Sequence, residues 1–130
     1  MIEITAEQAI ESLRTVVKGN EDKVVGCVYV DLEGKPACIV ANALVECGSP
    51  MQALYELDRV SGNAFYGSGD GDFTDVQVSD VLERHGVFMS EVAYRIFSIA
   101  QQIQDGDVWA NSDRRWGYAL EQAEVVYADA

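Results

Sequence analysis

Histidine, cysteine and proline are scarce in this chain of 130 residues, which contains one histidine, three cysteines and two prolines. A structural zinc site needs about four nitrogen or sulfur ligands. Cys27, Cys38, Cys47 and His85 are too few and too dispersed for that, and no C-x-x-C motif is present. We therefore predict no metal and no cofactor. The cysteines have apolar neighbours and are predicted to pack in the core, although Cys27 and Cys38 face each other if the hairpin described below forms.

Basic residues are also scarce: nine Lys and Arg stand against 22 Asp and Glu, which gives a net charge of −13. The excess acid is spread over both halves of the chain, so it belongs to the folded surface and not to a tail. Such a surface repels nucleic-acid phosphates and anionic lipid, and it suits a basic partner. The alternative is that the acidity serves solubility alone.

Long apolar runs are absent, and none approaches the roughly 20 residues of a membrane-spanning helix. The polar, amphipathic stretch that follows Met1–Thr5 does not resemble the apolar region of a signal peptide. With few cysteines, these features predict a reduced, cytoplasmic protein without a membrane partner.

A hydrophobic fraction of 48% provides for one core, and residues 1–130 are predicted to form a single domain of mostly helical α+β class. The β part is predicted to be one small hairpin, formed by Val24–Asp31 and Pro36–Ile39, with Met1–Ile4 as an edge strand or a frayed start. About five to six helices are predicted. They begin after Thr5, near Ala37, at Pro50, after Thr74, after Ser90 and near Ser112.

The caps and breakers that support these helices are local signals. Thr5 with Gln8, and Thr74 with Gln77, have the spacing of a capping box. Residues 61–73 contain four glycines and several polar residues, and they are predicted to form a mobile loop.

The acidic segment Tyr66–Glu83 contains no Lys or Arg. An EF-hand beginning at Asp70 would need Gly and Glu at its sixth and twelfth positions, where the chain has Asp75 and Val81. The glycine-rich part of this segment lacks the lysine that a phosphate-binding loop contains. We predict no nucleotide site here and interpret Asp70, Asp72 and Asp75 as candidate partner-binding residues.

Residues 78–104 have the pattern of a helix-turn-helix motif, with the helix after Ser90 as the recognition helix. Arg95 is its only basic residue, and Glu91 lies at its N-terminal end. DNA-reading helices present several Lys and Arg to phosphates. We therefore interpret the segment as an ordinary pair of helices, with a DNA-binding regulator as the alternative.

Trp109, Arg114 and Arg115 form a local basic and aromatic group in an otherwise acidic chain. Tryptophan and arginine are the residue types that dominate the binding energy of protein interfaces. We predict a partner-binding site at these three residues.

Two blocks of the sequence resemble a family of short uncharacterised proteins of actinobacteria and their phages. The first block is Cys27–Val30, Gly34, Pro36–Val40 and Ala43–Leu44, and the second is Ala100–Gln101, Gln104–Gly106 and Trp116–Ala123. The chain departs from the family pattern by extra residues around Trp109–Asp113 and by a longer loop before Asp72. The resemblance implies a phage or actinobacterial origin and the host cytoplasm. It implies no activity and no site residues.

The sequence therefore predicts a non-enzymatic accessory protein that acts by protein–protein interaction with a host protein, a DNA mimic being one subtype. The alternatives are the DNA-binding regulator and a small-ligand binder or enzyme that uses Cys27, Cys38 or His85. The helix after Ser90 is apolar round much of its circumference, which predicts homodimerisation.

Overall fold

A computed structural model describes residues 1–25, 29–67, 76–106 and 113–130, without the side chains of residues 60–67 and 76–77. These residues form six helices and one sheet of two strands, which confirms the mostly helical α+β class. In chain order the elements are β1 (Ile2–Ile4), α1 (Ala6–Val17), α2 (Ile39–Glu46), α3 (Met51–Gly67), α4 (Val76–Arg84), β2 (Val87–Met89), α5 (Glu91–Asp105) and α6 (Trp116–Ala128).

The two strands of the sheet come from distant parts of the chain. β1 pairs with β2 in parallel, with Ile2 opposite Val87 and Ile4 opposite Met89. The edge strand at the start of the chain is therefore confirmed. Its partner is the link between α4 and α5, where the sequence predicted only a turn.

The predicted hairpin is reduced to a single antiparallel bridge between Val30 and Pro36 in the part of the chain that the structure describes. The second predicted strand, Pro36–Ile39, does not form because α2 begins at Ile39. Cys38 is the N-cap of this helix. Residues 26–28 of the first predicted strand lie outside the described residues.

Helix α5 is the centre of the core and contacts α1, α2 and α6. A helix that is apolar on several sides needs several neighbours to cover it. The largest fully buried side chains of the core are each at most 1% exposed. They include Ile10, Leu13, Ile39, Leu44, Leu54, Leu57, Leu82, Ile96, Phe97 and Trp116.

Local cap signals set several helix ends as predicted. Thr5 and Gln8 form the reciprocal capping box at the start of α1. Ser90 accepts a hydrogen bond from the Ala93 N–H group, and Gly106 ends α5 with φ 72°. Thr74, the first residue of the other predicted capping box, lies outside the described residues.

Two helix boundaries differ from the prediction. α3 continues to Gly67, through residues 61–67 where a loop was predicted, while residues 68–73 of that loop are not described. α6 begins at Trp116, and its first N–H groups donate to the carbonyls of Lys23 and Glu21 at 3.0 and 2.8 Å. A distant loop thus caps this helix. No helix in the described ranges is long and apolar enough to cross a membrane.

Candidate functional site

The predicted Trp109–Arg114–Arg115 site is only partly described, because Trp109 lies in the omitted range 107–112. The Nε of Arg114 donates to the Gln104 carbonyl at 3.0 Å, and an Nη donates to the Val25 carbonyl at 3.5 Å. This guanidinium therefore satisfies carbonyls at the end of α5 and in the loop before residue 26. Arg114 joins two segments of the fold.

Arg115 is more exposed than Arg114 and is half accessible at its side chain. It holds Asp113 with two side-chain hydrogen bonds, of 2.9 and 2.7 Å, and lies 3.6 Å from Asp22. The hydrogen bonds from Arg115 lower the pKa of Asp113 to about 2. Arg115 remains a candidate partner-binding residue, and its charge is shared with two carboxylates.

The acidic candidates Asp70, Asp72 and Asp75 also lie outside the described residues. In the described ranges, no group of three or more His, Cys, Asp or Glu could hold a metal ion.

Cys38 is fully buried, as predicted, and its Sγ accepts a hydrogen bond from the Ala41 N–H group at 3.3 Å. Burial raises the pKa of this thiol to about 12. The thiol form is the weak nucleophile, so Cys38 is chemically inert at neutral pH. Burial also raises the pKa of Cys47. Cys27 is not described.

The predicted helix-turn-helix segment has a strand in place of its turn, because β2 separates α4 from α5. Much of the predicted recognition helix is core, including Ile96 and Phe97, while Glu91 and Arg95 are exposed. A helix used in this way presents little basic surface to a DNA groove.

A groove of about 290 Å³ lies between α1 and α2 and has an acidic lining. Glu11 and Glu46 provide its carboxylates, and no Lys or Arg is among its described lining residues. We call it the α1–α2 groove. Its lining is Gln8, Glu11, Ser12, Thr15, Glu46 and Cys47. Sequence reasoning missed it, although the spacing of Gln8, Glu11 and Thr15 by three and four residues places these polar side chains on one face of α1.

A second pocket, of about 300 Å³, lies between α3 and the end of α4, and we call it the α3–α4 pocket. Its lining is Gln52, Tyr55, Glu56, Arg59 and His85. The Nε2 of His85 lies 3.0 Å from Glu56 Oε1, and Arg84 donates to Glu56 Oε2. The hydrogen bond with His85 is the largest cause that lowers the pKa of Glu56, and the hydrogen bond from Arg84 is the next largest.

His85 was predicted at a helix C-terminus, and it directly follows α4. Its pairing with Glu56 could not be predicted, because 29 residues separate the two.

No protein-family model, no curated protein and no solved structure matches the chain. The resemblance to short actinobacterial and phage proteins therefore stays a prediction.

Proposed function

We propose that the protein is a non-enzymatic accessory protein that binds a basic surface of a host protein through its α1–α2 groove. The observation that carries this proposal is the acidic lining of that groove, in a chain whose net charge is −13. A cationic segment is the kind of ligand that such a lining favours, since opposite potentials steer partners together.

Many of the cationic side chains are engaged by other groups of the fold. The surface is therefore left with a surplus of negative charge. Arginines pair with nearby carboxylates or cap carbonyls, and Lys23 lies over the ring of Trp116 at 4.8 Å. The engaged cations are Arg14, Lys23, Lys35, Arg84, Arg114 and Arg115. Arg14 also pairs with Glu11 of the groove, so among the described residues Glu46 is the groove carboxylate without an ion pair; it is exposed and remains available to a partner.

The polar groups of the groove add acceptors for a Lys or Arg side chain. The hydroxyl of Ser12 donates to the Ala9 carbonyl at 2.7 Å, and that of Thr15 donates to the Glu11 carbonyl at 3.0 Å. Ser12 is buried, whereas Thr15 is exposed; because the hydroxyl hydrogen of Thr15 is already used, its oxygen presents lone pairs to an incoming N–H group. Carboxylates and acceptors together suit a cation.

The proposed setting is the cytoplasm of an actinobacterial host, with the protein encoded by the bacterium or by a phage. The support is the sequence resemblance of the Cys27–Leu44 and Ala100–Ala123 blocks. The burial of Cys38 removes one nucleophile of the enzymatic alternative.

A titration of the ¹⁵N-labelled protein with a short Lys- and Arg-rich peptide tests the groove directly. We expect saturable shift changes concentrated at Gln8, Ser12 and Cys47, which weaken as salt is added because the contact is charge-based. Shifts spread evenly over the acidic surface would contradict a specific groove.

A pair of charge-matched variants identifies the partner. The double variant Glu11→Gln/Glu46→Gln removes the groove carboxylates, and Glu121→Gln/Asp129→Asn removes the same charge from exposed positions of α6 and its end. A host protein captured from an actinobacterial lysate should be lost with the first variant and retained with the second. Equal capture by both would refute the proposed site.

A further inference from the structure

The α3–α4 pocket has a composition opposite to that of the α1–α2 groove. We infer that it is a binding site for a small oxyanion, a phosphate or a carboxylate, held chiefly by the guanidinium of Arg59. The inference concerns a different surface and a ligand of opposite charge, so it does not depend on the proposed function.

Arg59 differs from most of the other arginines because it forms no ion pair or hydrogen bond with any residue that the structure describes. It is exposed on α3 and lines the pocket. Glu56 lies three residues before it, at a spacing where helix ion pairs commonly form. That carboxylate is instead engaged by Arg84 and His85.

Glu56 would repel an anion if its charge were not balanced. Its Oε1 faces His85 Nε2 at 3.0 Å and its Oε2 accepts from Arg84, so both oxygens are occupied by donors. A carboxylate accepts only, hence the His85 Nε2 carries the hydrogen of this contact. Counted over the pocket lining and Arg84, two guanidinium groups stand against the one carboxylate of Glu56.

The rest of the lining suits a small ligand. Gln52 contributes an amide with two donors, and the hydroxyl of Tyr55 donates to the Gly34 carbonyl at 3.3 Å, which orients the ring as a wall. About 300 Å³ is at the lower end of small-molecule sites, so the pocket holds an ion or a small acid. The planar fork of an arginine matches carboxylate and phosphate oxygens in two parallel hydrogen bonds.

NMR titrations with inorganic phosphate and, separately, with acetate test the site at constant ionic strength set by chloride. We expect saturable shifts of the Arg59 Nε–H and His85 ring signals with at least one of these anions. The anion whose shift changes saturate at the lower concentration identifies the ligand class, phosphate-like or carboxylate-like. The absence of saturation with both would overturn the inference.

The variant Arg59→Gln should weaken binding about tenfold or more, because a charge-assisted pair of hydrogen bonds is removed. Lys18→Gln is the matched control, since it removes one positive charge from an exposed residue at the end of α1. It should leave the affinity unchanged. Arg59→Lys keeps the charge without the fork and should bind with intermediate affinity. Equal affinity of Arg59→Gln and the unmodified protein would refute the site, and unchanged circular dichroism of the variants verifies that they fold.

Discussion

Asp58 accepts hydrogen bonds from the backbone N–H groups of Tyr29 and Val30, both at 2.8 Å. The sequence predicted that these two residues belong to a strand, whose N–H groups would be satisfied by a neighbouring strand. Here a carboxylate on α3 provides the acceptors instead. Hydrogen bonds to a charged acceptor are stronger than those between neutral groups, so this side chain fixes the segment after residue 28 to α3.

Replacing Asp58 by Ala should lower the free energy of unfolding by about 2 to 4 kcal/mol, because two backbone donors lose a charged acceptor. Asp58→Asn keeps one oxygen and should have a smaller effect. The measurement is urea denaturation followed by tryptophan fluorescence. Asp80→Ala, at an exposed position of α4, is the control and should change stability by less than about 0.5 kcal/mol. Equal effects of the two alanine variants would contradict the role assigned to Asp58.

At the residue scale, sequence reasoning succeeds where a signal and its partner are close together in the chain. A capping box was predicted at Thr5 and a helix start after Ser90, and in the structure each of these side chains accepts from an N–H group three residues away. The partners of Asp58 and Glu56 are 28 and 29 residues distant. Nothing in the chain marks such pairs until α3 and its neighbours are folded.

At the element scale, α1 and α6 are joined by a bidentate ion pair. The Nε and Nη2 of Arg14 donate to the two oxygens of Glu124, each at 2.7 Å, and Glu11 accepts from Nη1 at 2.5 Å. The hydrogen bond from Arg14 lowers the pKa of Glu124. The charged form of this carboxylate is therefore favoured in the folded chain.

Because the pKa of Glu124 is lower in the folded than in the unfolded chain, its contribution is complete above the ordinary value of 4.5 and is lost as the pH falls below it. Glu124→Gln should therefore lower stability at pH 7, by no more than about 1 kcal/mol for a partly exposed pair. The difference from the unmodified protein should shrink in acid below pH 4.5. Denaturation at several pH values measures it. Glu121→Gln, at an exposed site on α6, should show no such trend; a constant difference for Glu124→Gln would contradict the assignment.

The predictions for whole elements held best where the apolar pattern was strong. The stripe after Ser90 predicted α5, and the structure buries it among α1, α2 and α6. The predicted hairpin and the end of α3 rested on turn residues and glycines. Tertiary contacts determine the secondary structure of such segments. β2 pairs with β1, more than 80 positions away in the chain, and a β-ladder of this kind has no local signal in the sequence.

At the scale of the whole molecule, the burial of most of α5 narrows the surface on which the homodimer prediction rests. That prediction rested on the apolar circumference of α5, of which the fold covers a large part, while Tyr94 and Ile99 stay partly exposed along a groove of about 720 Å³. Large apolar side chains are also exposed elsewhere in the described ranges, and Leu32 and Tyr55 are two of them. Homodimerisation stays a prediction.

The net charge of −13 makes the folded chain repel itself, since many carboxylates are exposed. Raising the salt concentration from about 0.01 to 0.15 M shortens the screening length from roughly 30 to 8 Å. We therefore expect the melting temperature to rise, by about 4 °C for each kcal/mol of repulsion removed. Glu121→Gln/Asp129→Asn carries less negative charge and should have a shallower salt dependence, whereas Lys18→Gln should have a steeper one. A melting temperature that falls with added chloride would mean that ion pairs such as Arg14–Glu124 outweigh the repulsion between carboxylates. The acidic side chains would then be neutralised by cations of the same chain, which contradicts their proposed role in binding a basic partner.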